Sequence, residues 1–324
     1  MSGRRPRIVV TRRIPDPALE LLGHEADVWL SPHDRPLERA ELHSAVAGAD
    51  GLVTLLHDRV DDALLDAAGP QLRVVANVAV GYDNADVDAC RRHGVVLTNT
   101  PGVLTEATAD IAFALILMAT RRLGEGERMV RAGGTWTWSM FFMLGTGIQE
   151  KTLGIVGLGQ IGTATARRAR AFGMRIAYTG RRRASPELEA ELDAQWVAEL
   201  DELLAASDVI SLHCPLTPET RHLIDARRLA LMRPGAYLVN TTRGPVVDEA
   251  ALAAALRERT IAGAGLDVFE NEPAVDPGLI ALEQVVLIPH LGSATIETRT
   301  AMAVLAARNA LAVVRGEAPI TPVT

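Results

Sequence analysis

The sequence predicts an α/β protein built from two open parallel sheets, and three observations carry that prediction. Short apolar runs alternate with helix-patterned segments along most of the chain, as expected of strands covered by helices on both faces. A glycine fingerprint, Gly157-Leu158-Gly159-Gln160-Ile161-Gly162, stands between an apolar run and a helical one. Finally, 324 residues with 48% apolar and 23% charged content are enough for two separate cores.

Taken in order, strands are predicted at 7–11, 27–30, 51–55, 72–78 and 95–99, with helical patterning between them at 16–22 and 36–47. This makes one open sheet of flavodoxin-like type. Residues 105–122 then read as a long apolar helix, with Glu106 and Asp110 near its start and Arg121-Arg122 at its end, charges that suit the helix dipole. The segment 133–147 reads as a loop, yet it holds Trp136, Trp138, Phe141 and Phe142 in a chain only 4% aromatic. Aromatics clustered in a loop cover an interface, line a pocket or pack the loop itself. Residues 105–147 together are expected to form an arm, too apolar to stand in water alone.

From Lys151 a second run begins, with strands at 152–156, 175–179, 196–197, 208–213, 236–240, 263–267 and 285–288. Six or seven parallel strands after a glycine fingerprint complete a dinucleotide (Rossmann) domain. The helix 296–315 is long enough to return to the first sheet. The expected division is therefore 1–101 plus 291–324 for a substrate domain, and 102–290 for the dinucleotide domain. Two crossovers, near Pro101 and Leu291, predict a hinge with a cleft between the domains.

The fingerprint has chemical meaning in this setting. The first glycine permits the tight turn, the second lets a pyrophosphate approach the backbone, and the third lets the helix pack close to its strand. The helix N-terminus adds free N–H donors and partial positive charge. The pairs Gly145/Gly147 and Gly263/Gly265 lack the third glycine and the helix, and are read as loop and strand packing. At the end of the next strand, NAD enzymes carry an acid for the ribose 2′-hydroxyl. Here Gly180 takes that position and Arg181, Arg182 and Arg183 follow, a cluster suited to a 2′-phosphate. The expectation is NADP(H), with NAD(H) as the alternative; a solvated basic loop is the plainer reading.

Bulk properties exclude other classes. A net charge of −7 argues against nucleic-acid and anionic-membrane partners. No apolar run approaches the span of a bilayer, and Met1 to Arg7 lead toward a strand with no signal-type apolar segment, so the expected location is cytoplasmic. The two cysteines, Cys90 and Cys214, match no metal spacing, and no metal is expected.

Three segments follow strands of the second sheet: Asn240-Thr241-Thr242-Arg243-Gly244, Asp267-Val268-Phe269-Glu270-Asn271-Glu272-Pro273, and Pro289-His290-Leu291-Gly292-Ser293-Ala294-Thr295. Ligands of open parallel sheets bind at the carboxyl ends of strands, so all three turns face the crevice of the glycine loop. Singly, each is ordinary. An arginine, a glutamate and a histidine on that one edge form a candidate catalytic set.

Together with Val80-Gly81-Tyr82-Asp83-Asn84, Thr105–Asp110 and Cys214-Pro215-Leu216-Thr217-Pro218, these segments resemble the D-isomer-specific 2-hydroxyacid dehydrogenases over essentially the whole chain. The resemblance implies Arg243, Glu272 and His290 as the catalytic residues. His290 would donate a proton to the substrate oxygen, Glu272 would orient and support its ring, and Arg243 would hold the carboxylate and polarise the carbonyl. It implies that the backbone N–H groups of Val80 and Gly81 grip the carboxylate. It places cofactor contacts at Thr108, residues 157–162, Gly180, Arg181, Arg182, Cys214, Pro215, Thr220, Thr241, Thr242, Arg243, Asp267, His290 and Gly292.

Within the family, the Gly180–Arg183 turn and the 136–142 loop look most like NADP-dependent glyoxylate/hydroxypyruvate reductases, though Ser139-Met140 stand where a proline is expected after Trp138. The resemblance also implies a homodimer through the arm, with Trp138 limiting the partner's pocket to small 2-oxo acids. The alternatives are another 2-oxo acid or D-2-hydroxyacid dehydrogenase, including phosphoglycerate, formate or phosphite enzymes, and a dinucleotide-sensing corepressor on the same scaffold.

Overall fold

The computed structural model describes residues 4–324. In chain order it runs β1 (Arg7–Val10), α1 (Asp16–Glu25), β2 (Asp27–Leu30), α2 (Arg39–Val46), β3 (Gly51–Thr54), α3 (Asp62–Ala68), β4 (Val74–Asn77), α4 (Val87–Arg92) and β5 (Val96–Thr98). Helices α5 (Thr105–Thr120) and α6 (Leu123–Arg131) lead to β6 (Thr152–Val156), α7 (Gln160–Ala171), β7 (Arg175–Thr179), α8 (Pro186–Leu192), β8 (Ala194–Trp196), α9 (Leu200–Ala206) and β9 (Val209–Leu212). Then follow α10 (Ala226–Leu229), β10 (Tyr237–Asn240), α11 (Glu249–Arg257), β11 (Gly263–Leu266), α12 (Pro277–Ile280), β12 (Val285–Leu287) and α13 (Ile296–Val314). Contacts divide the chain into two units, one from the residues up to Leu104 with Ala294–Thr324, the other Thr105–Ser293.

The first unit carries a parallel sheet in the order β2-β1-β3-β4-β5. Its strands are apolar along most of their length because both faces are covered, with Arg7, Asp27, Thr54, Asn77 and Thr98 at strand ends. Ile8 and Val10 point to one layer, with Ala18 and Leu22 of α1 and Ala303, Ala306, Ala307, Ala310 and Leu311 of α13. Val9 points to the other, with Leu42 of α2, Leu64 of α3 and Cys90 of α4. Asp61 and Asp86 cap α3 and α4 by accepting the N–H groups of Leu64 and Ala89, which explains how such short helices start where they do.

The second unit carries the order β12-β11-β10-β9-β6-β7-β8, all parallel among the described residues. This is the double winding that reverses beside β6, the strand before the fingerprint. The edge strand expected at 196–197 lies instead at Ala194–Trp196, where Trp196 packs edge-on against Tyr178 at 5.1 Å.

One expectation is corrected. Helix α5 is no part of a protruding arm: Ala112, Phe113, Leu115, Ile116 and Ala119 are buried in its own unit. A Cβ on Gly265 of β11 would lie 2.9 Å from Cβ of Leu115, which shows how closely helix and sheet approach. Glu106 and Asp110 on its outer side hold Arg168 of α7 at 2.8 and 2.6 Å. The helix is apolar nearly all round because the unit's own sheet and α7 enclose it. Only α6, which buries no residue, and the irregular segment after it remain uncovered. There Trp136 stacks on Phe142 with centroids 5.9 Å apart, while Trp138 and Phe141 stay 72% and 85% exposed. No helix of the described residues is long and apolar enough to cross a membrane.

Candidate active site

The site of the second unit begins at the end of β6. Gly157 turns the chain with φ of +97°, a left-handed geometry that glycine adopts without penalty. A Cβ there would lie 3.0 Å from the His213 carbonyl group. At Gly159 nothing stands within 4 Å of a Cβ position, so the backbone is open on that side. At Gly162 a Cβ would fall 2.4 Å from the Gly157 carbonyl oxygen, which makes this glycine the contact point of α7 with the loop. Gly159 caps α7 with no side chain, leaving the N–H groups of the first turn, from Gln160 on, without a side-chain acceptor.

The turn after β7 is braced from below. The Tyr178 hydroxyl donates to Glu189 at 2.5 Å and accepts the Ala184 N–H at 2.9 Å. Glu189 takes both arms of Arg183 at 2.8 Å, and that guanidinium draws its carboxyl down to about 2. Gly180, Arg181, Arg182 and Arg183 are all exposed, and Arg183 among them is paired with Glu189.

After β9, burial pushes the Cys214 thiol up to about 11 and holds the His213 ring down to about 4. Nδ1 of His213 is buried without a partner. Pro215 is exposed, and Thr220 braces the turn by donating its hydroxyl to the Pro215 carbonyl at 2.7 Å.

The three turns after β10, β11 and β12 meet one another. Asn240 organises the first: its Oδ1 accepts the Thr242 N–H and hydroxyl at 3.0 and 2.7 Å, and its Nδ2 donates to the Arg243 carbonyl at 2.9 Å. Gly244 presses on the second turn so closely that a Cβ would lie 1.8 Å from the Phe269 carbonyl carbon. The Thr241 hydroxyl is buried and unpartnered.

Asp267, 1% exposed, ties the second turn to the third through Oδ2, which accepts the Gly292 N–H at 2.8 Å, and Oδ1, which accepts that of Leu291. Its carbonyl accepts the His290 N–H at 2.8 Å. His290 itself has φ of +53°, an uncommon backbone state for a residue with a side chain and one that these bonds over-determine. Thr108 of α5 donates its hydroxyl to the Gly292 carbonyl at 3.1 Å.

The histidine ring is held next. Nδ1 of His290 lies 2.9 Å from Oε2 of Glu272, while Oε1 of Glu272 accepts the Phe269 N–H at 3.0 Å. Burial pushes the Glu272 carboxyl up, but the bond and charge of His290, the Phe269 N–H and the nearby Arg243 guanidinium together hold it below the usual carboxylate range. Burial raises Asp267, against the pull of the Leu291 and Gly292 N–H groups.

The structure thus brings Arg243, Asp267, Glu272, His290, Gly292 and Thr108 into one cluster. Val80 and Gly81 belong to the first unit, in the turn after β4. Among the described residues neither of their N–H groups donates to another group. The bracing roles of Asn240, Tyr178 and Glu189 are additions of the structure. An asparagine closing a strand before a Thr-Thr-Arg turn is the signal for the first; nothing local signals the other two. Among the described residues no group of three or more His, Cys, Asp or Glu could hold a metal ion.

Residues 113–292 match the family model described as D-isomer specific 2-hydroxyacid dehydrogenase, NAD binding domain. A glyoxylate reductase of Thermococcus litoralis is 48% identical over 322 residues, covering 97% of this chain and 96% of the relative. One of Aeropyrum pernix is 50% identical over 324 residues, covering 98% and 95%. Among solved structures, an NADPH-dependent glyoxylate/hydroxypyruvate reductase from Sinorhizobium meliloti, in complex with NADP and malonate, superposes with a TM-score of 0.87. It is 37% identical and covers 99% of this chain and 97% of that one.

Proposed function

The chain belongs to the D-isomer specific 2-hydroxyacid dehydrogenases, oxidoreductases acting on CH–OH donors with a nicotinamide dinucleotide, and from that premise we propose that it reduces glyoxylate and hydroxypyruvate with NADPH. The observation that carries this reading is the His290–Glu272 pair at 2.9 Å beside Arg243, a proton donor and a carboxylate binder at one strand edge.

The residues fit a dinucleotide: the open face of Gly159, the uncapped first turn of α7 and the unpartnered Thr241 hydroxyl form a cradle for phosphate and ribose oxygens. When bound, the dinucleotide supplies the hydride. Gly157 to Gly162 hold its pyrophosphate. Arg181 and Arg182 beyond Gly180 take the 2′-phosphate. Thr108, Cys214, Pro215, Thr220, Thr242, Asp267 and Gly292 line its remaining length, Thr108, Thr220 and Asp267 through the turns they brace.

Glu272 fixes the ring of His290 so that Nε2 carries a proton toward the substrate carbonyl oxygen, and its negative charge supports the charged ring. Arg243 holds the substrate carboxylate and stabilises charge growing on the oxygen. The N–H groups of Val80 and Gly81 add donors for the carboxylate. Trp138, exposed on the segment after α6, closes the pocket of a second copy in a homodimer.

Initial rates with NADPH and NADH against glyoxylate, hydroxypyruvate, pyruvate and longer 2-oxo acids test the reading. Highest kcat/KM for glyoxylate or hydroxypyruvate with NADPH is the expected result; a preference for a long-chain 2-oxo acid or for NADH overturns it.

A further inference from the structure

The turn that carries Val80 and Gly81 is held on two sides by asparagines. On one side, Nδ2 of Asn77 donates to the Gly81 carbonyl at 3.1 Å, and Asn84 donates to the carbonyls of Leu55 and Asp58 at 3.2 and 2.9 Å. These bonds come from β4, the segment that follows β3 and the turn itself. On the other side stands Asn99, which follows β5 and donates its Nδ2 to the Val80 carbonyl at 2.8 Å.

What holds Asn99 comes from the far end of the sequence. Residues 321–324 run antiparallel along β5: the Asn99 N–H reaches the Thr321 carbonyl at 3.3 Å, and the Val323 N–H reaches that of Leu97 at 2.8 Å. The Thr321 hydroxyl donates to the Asn99 carbonyl at 2.6 Å and accepts from Nδ2 of Asn309 at 2.9 Å. Asn309 lies fully buried in α13, and its Oδ1 accepts the N–H groups of both Ile320 and Thr321 at 2.9 and 3.0 Å. Every polar atom of that carboxamide is engaged, its Nδ2 also donating to the Leu305 carbonyl at 2.9 Å. An unbroken chain of bonds therefore runs from Asn309 through Thr321 and Asn99 to the Val80 carbonyl.

A peptide carbonyl fixed in direction fixes the plane of its peptide, and the Val80 carbonyl shares its peptide with the Gly81 N–H. The Gly81 N–H therefore points where Asn99 sets the Val80 carbonyl. Resting on the reading that this N–H grips the substrate carboxylate, we propose that Asn99 and Thr321 are positioning residues that set the affinity for the 2-oxo acid, the segment 320–324 acting as a brace for the substrate turn. Both act through the Val80 peptide, so the effect falls on binding of the carboxylate and spares the nucleotide.

Kinetics with glyoxylate at saturating NADPH, and with NADPH at saturating glyoxylate, decide the matter alongside thermal unfolding. Thr321→Val removes the hydroxyl with little change of shape and should raise KM for glyoxylate about three- to tenfold, the worth of one hydrogen bond. Its kcat should stay within about twofold and its KM for NADPH unchanged, because only carboxylate binding is weakened. Thr321→Ser should restore the wild-type KM. Asn99→Ala should repeat the pattern, and it carries the test if Thr321→Val does not fold. A folded variant with wild-type KM for glyoxylate overturns the proposal, as does a parallel loss for glyoxylate and NADPH, the mark of a merely structural role. A wild-type enzyme without any 2-oxo acid reductase activity overturns the reading of the site as a whole, before any variant is made.

Discussion

Glu272 divides its carboxylate between two partners, Oε2 lying 2.9 Å from Nδ1 of His290 and Oε1 accepting the Phe269 N–H at 3.0 Å. The first bond supports a charged ring and the second fixes the carboxylate that supports it. Glu272→Gln keeps the shape and removes the charge. It should slow turnover about tenfold, less than the loss of the acid itself, because the ring keeps its place while the charge beside it is gone. The pH–rate profile should differ from that of wild type, because a carboxylate charge next to the proton donor is gone. Because the Glu272 carboxyl is held below its usual range, its contribution to stability is present above the unfolded value near 4.3. That contribution fades as pH falls through the lower folded value. Urea unfolding of wild type and variant should differ at pH 7 and converge well below pH 4; an unchanged rate profile breaks the pairing.

His290→Asn retains a polar side chain without the titrating ring. Turnover should fall by about 10²- to 10⁴-fold, the usual worth of a general acid. NADPH affinity, read by fluorescence titration, should stay near that of wild type. A variant that keeps most of its activity refutes the assignment.

Removing Arg181 and Arg182 together by alanine should cost NADPH about 10- to 150-fold in kcat/KM for each charge-assisted bond lost, and leave NADH little affected. Arg183 is committed to Glu189, so its replacement should loosen the turn rather than take a phosphate contact away. Equal efficiency with both nucleotides in the wild type is the contrary result.

Trp138→Ala should raise kcat/KM for bulkier 2-oxo acids relative to glyoxylate. Its ring is 72% exposed and packs little within its own chain, so the monomer fold should survive the change. Sedimentation at micromolar concentration should report a dimer for the wild type; a monomer, or an unaltered substrate ranking, defeats the cross-subunit role.

Gly244→Ala should be among the most damaging single methyl groups that can be added. The new Cβ would meet the Phe269 carbonyl carbon at 1.8 Å and the Glu270 nitrogen at 2.3 Å, backbone atoms that cannot rotate away as the end of a side chain can. About 3 kcal/mol or more of stability should be lost, with activity falling because the Arg243 and Glu272 turns are forced apart. Chemical denaturation measures the first and initial rates the second.

The strands were legible because β-branched and leucine-rich runs alternate with helical segments, and parallel pairing follows from that alternation. Reading Arg243, Glu272 and His290 as neighbours needed only the topology, since three strands that end on one edge deliver their turns to one place. Helix α5 misled for a physical reason. Apolarity all round says that a helix is enclosed, but not by which surface, and here β11 and α7 enclose it. Asp267 as the clasp of residues 291–292 lay beyond reach, because its bonds span 24 and 25 residues and leave no periodic trace. The same holds for Tyr178 beneath the arginine turn, whose sequence looks like any buried strand residue.

The interrupted layout of the first unit has a consequence for how the molecule is made. One face of its sheet is covered by α13, whose alanine-rich side packs on α1, β3 and β4, and α13 leaves the ribosome only after the whole of Thr105–Ser293. During synthesis, Ile8, Val10, Val53 and Val74 must wait with that face covered by α1 but not by α13, while the inserted unit is continuous in sequence and can close first. Maturation is therefore expected in two steps, with an early protease-resistant core from 105–293 and a late docking of α13 that seals the apolar face. In that interval the nascent chain is most in need of a chaperone.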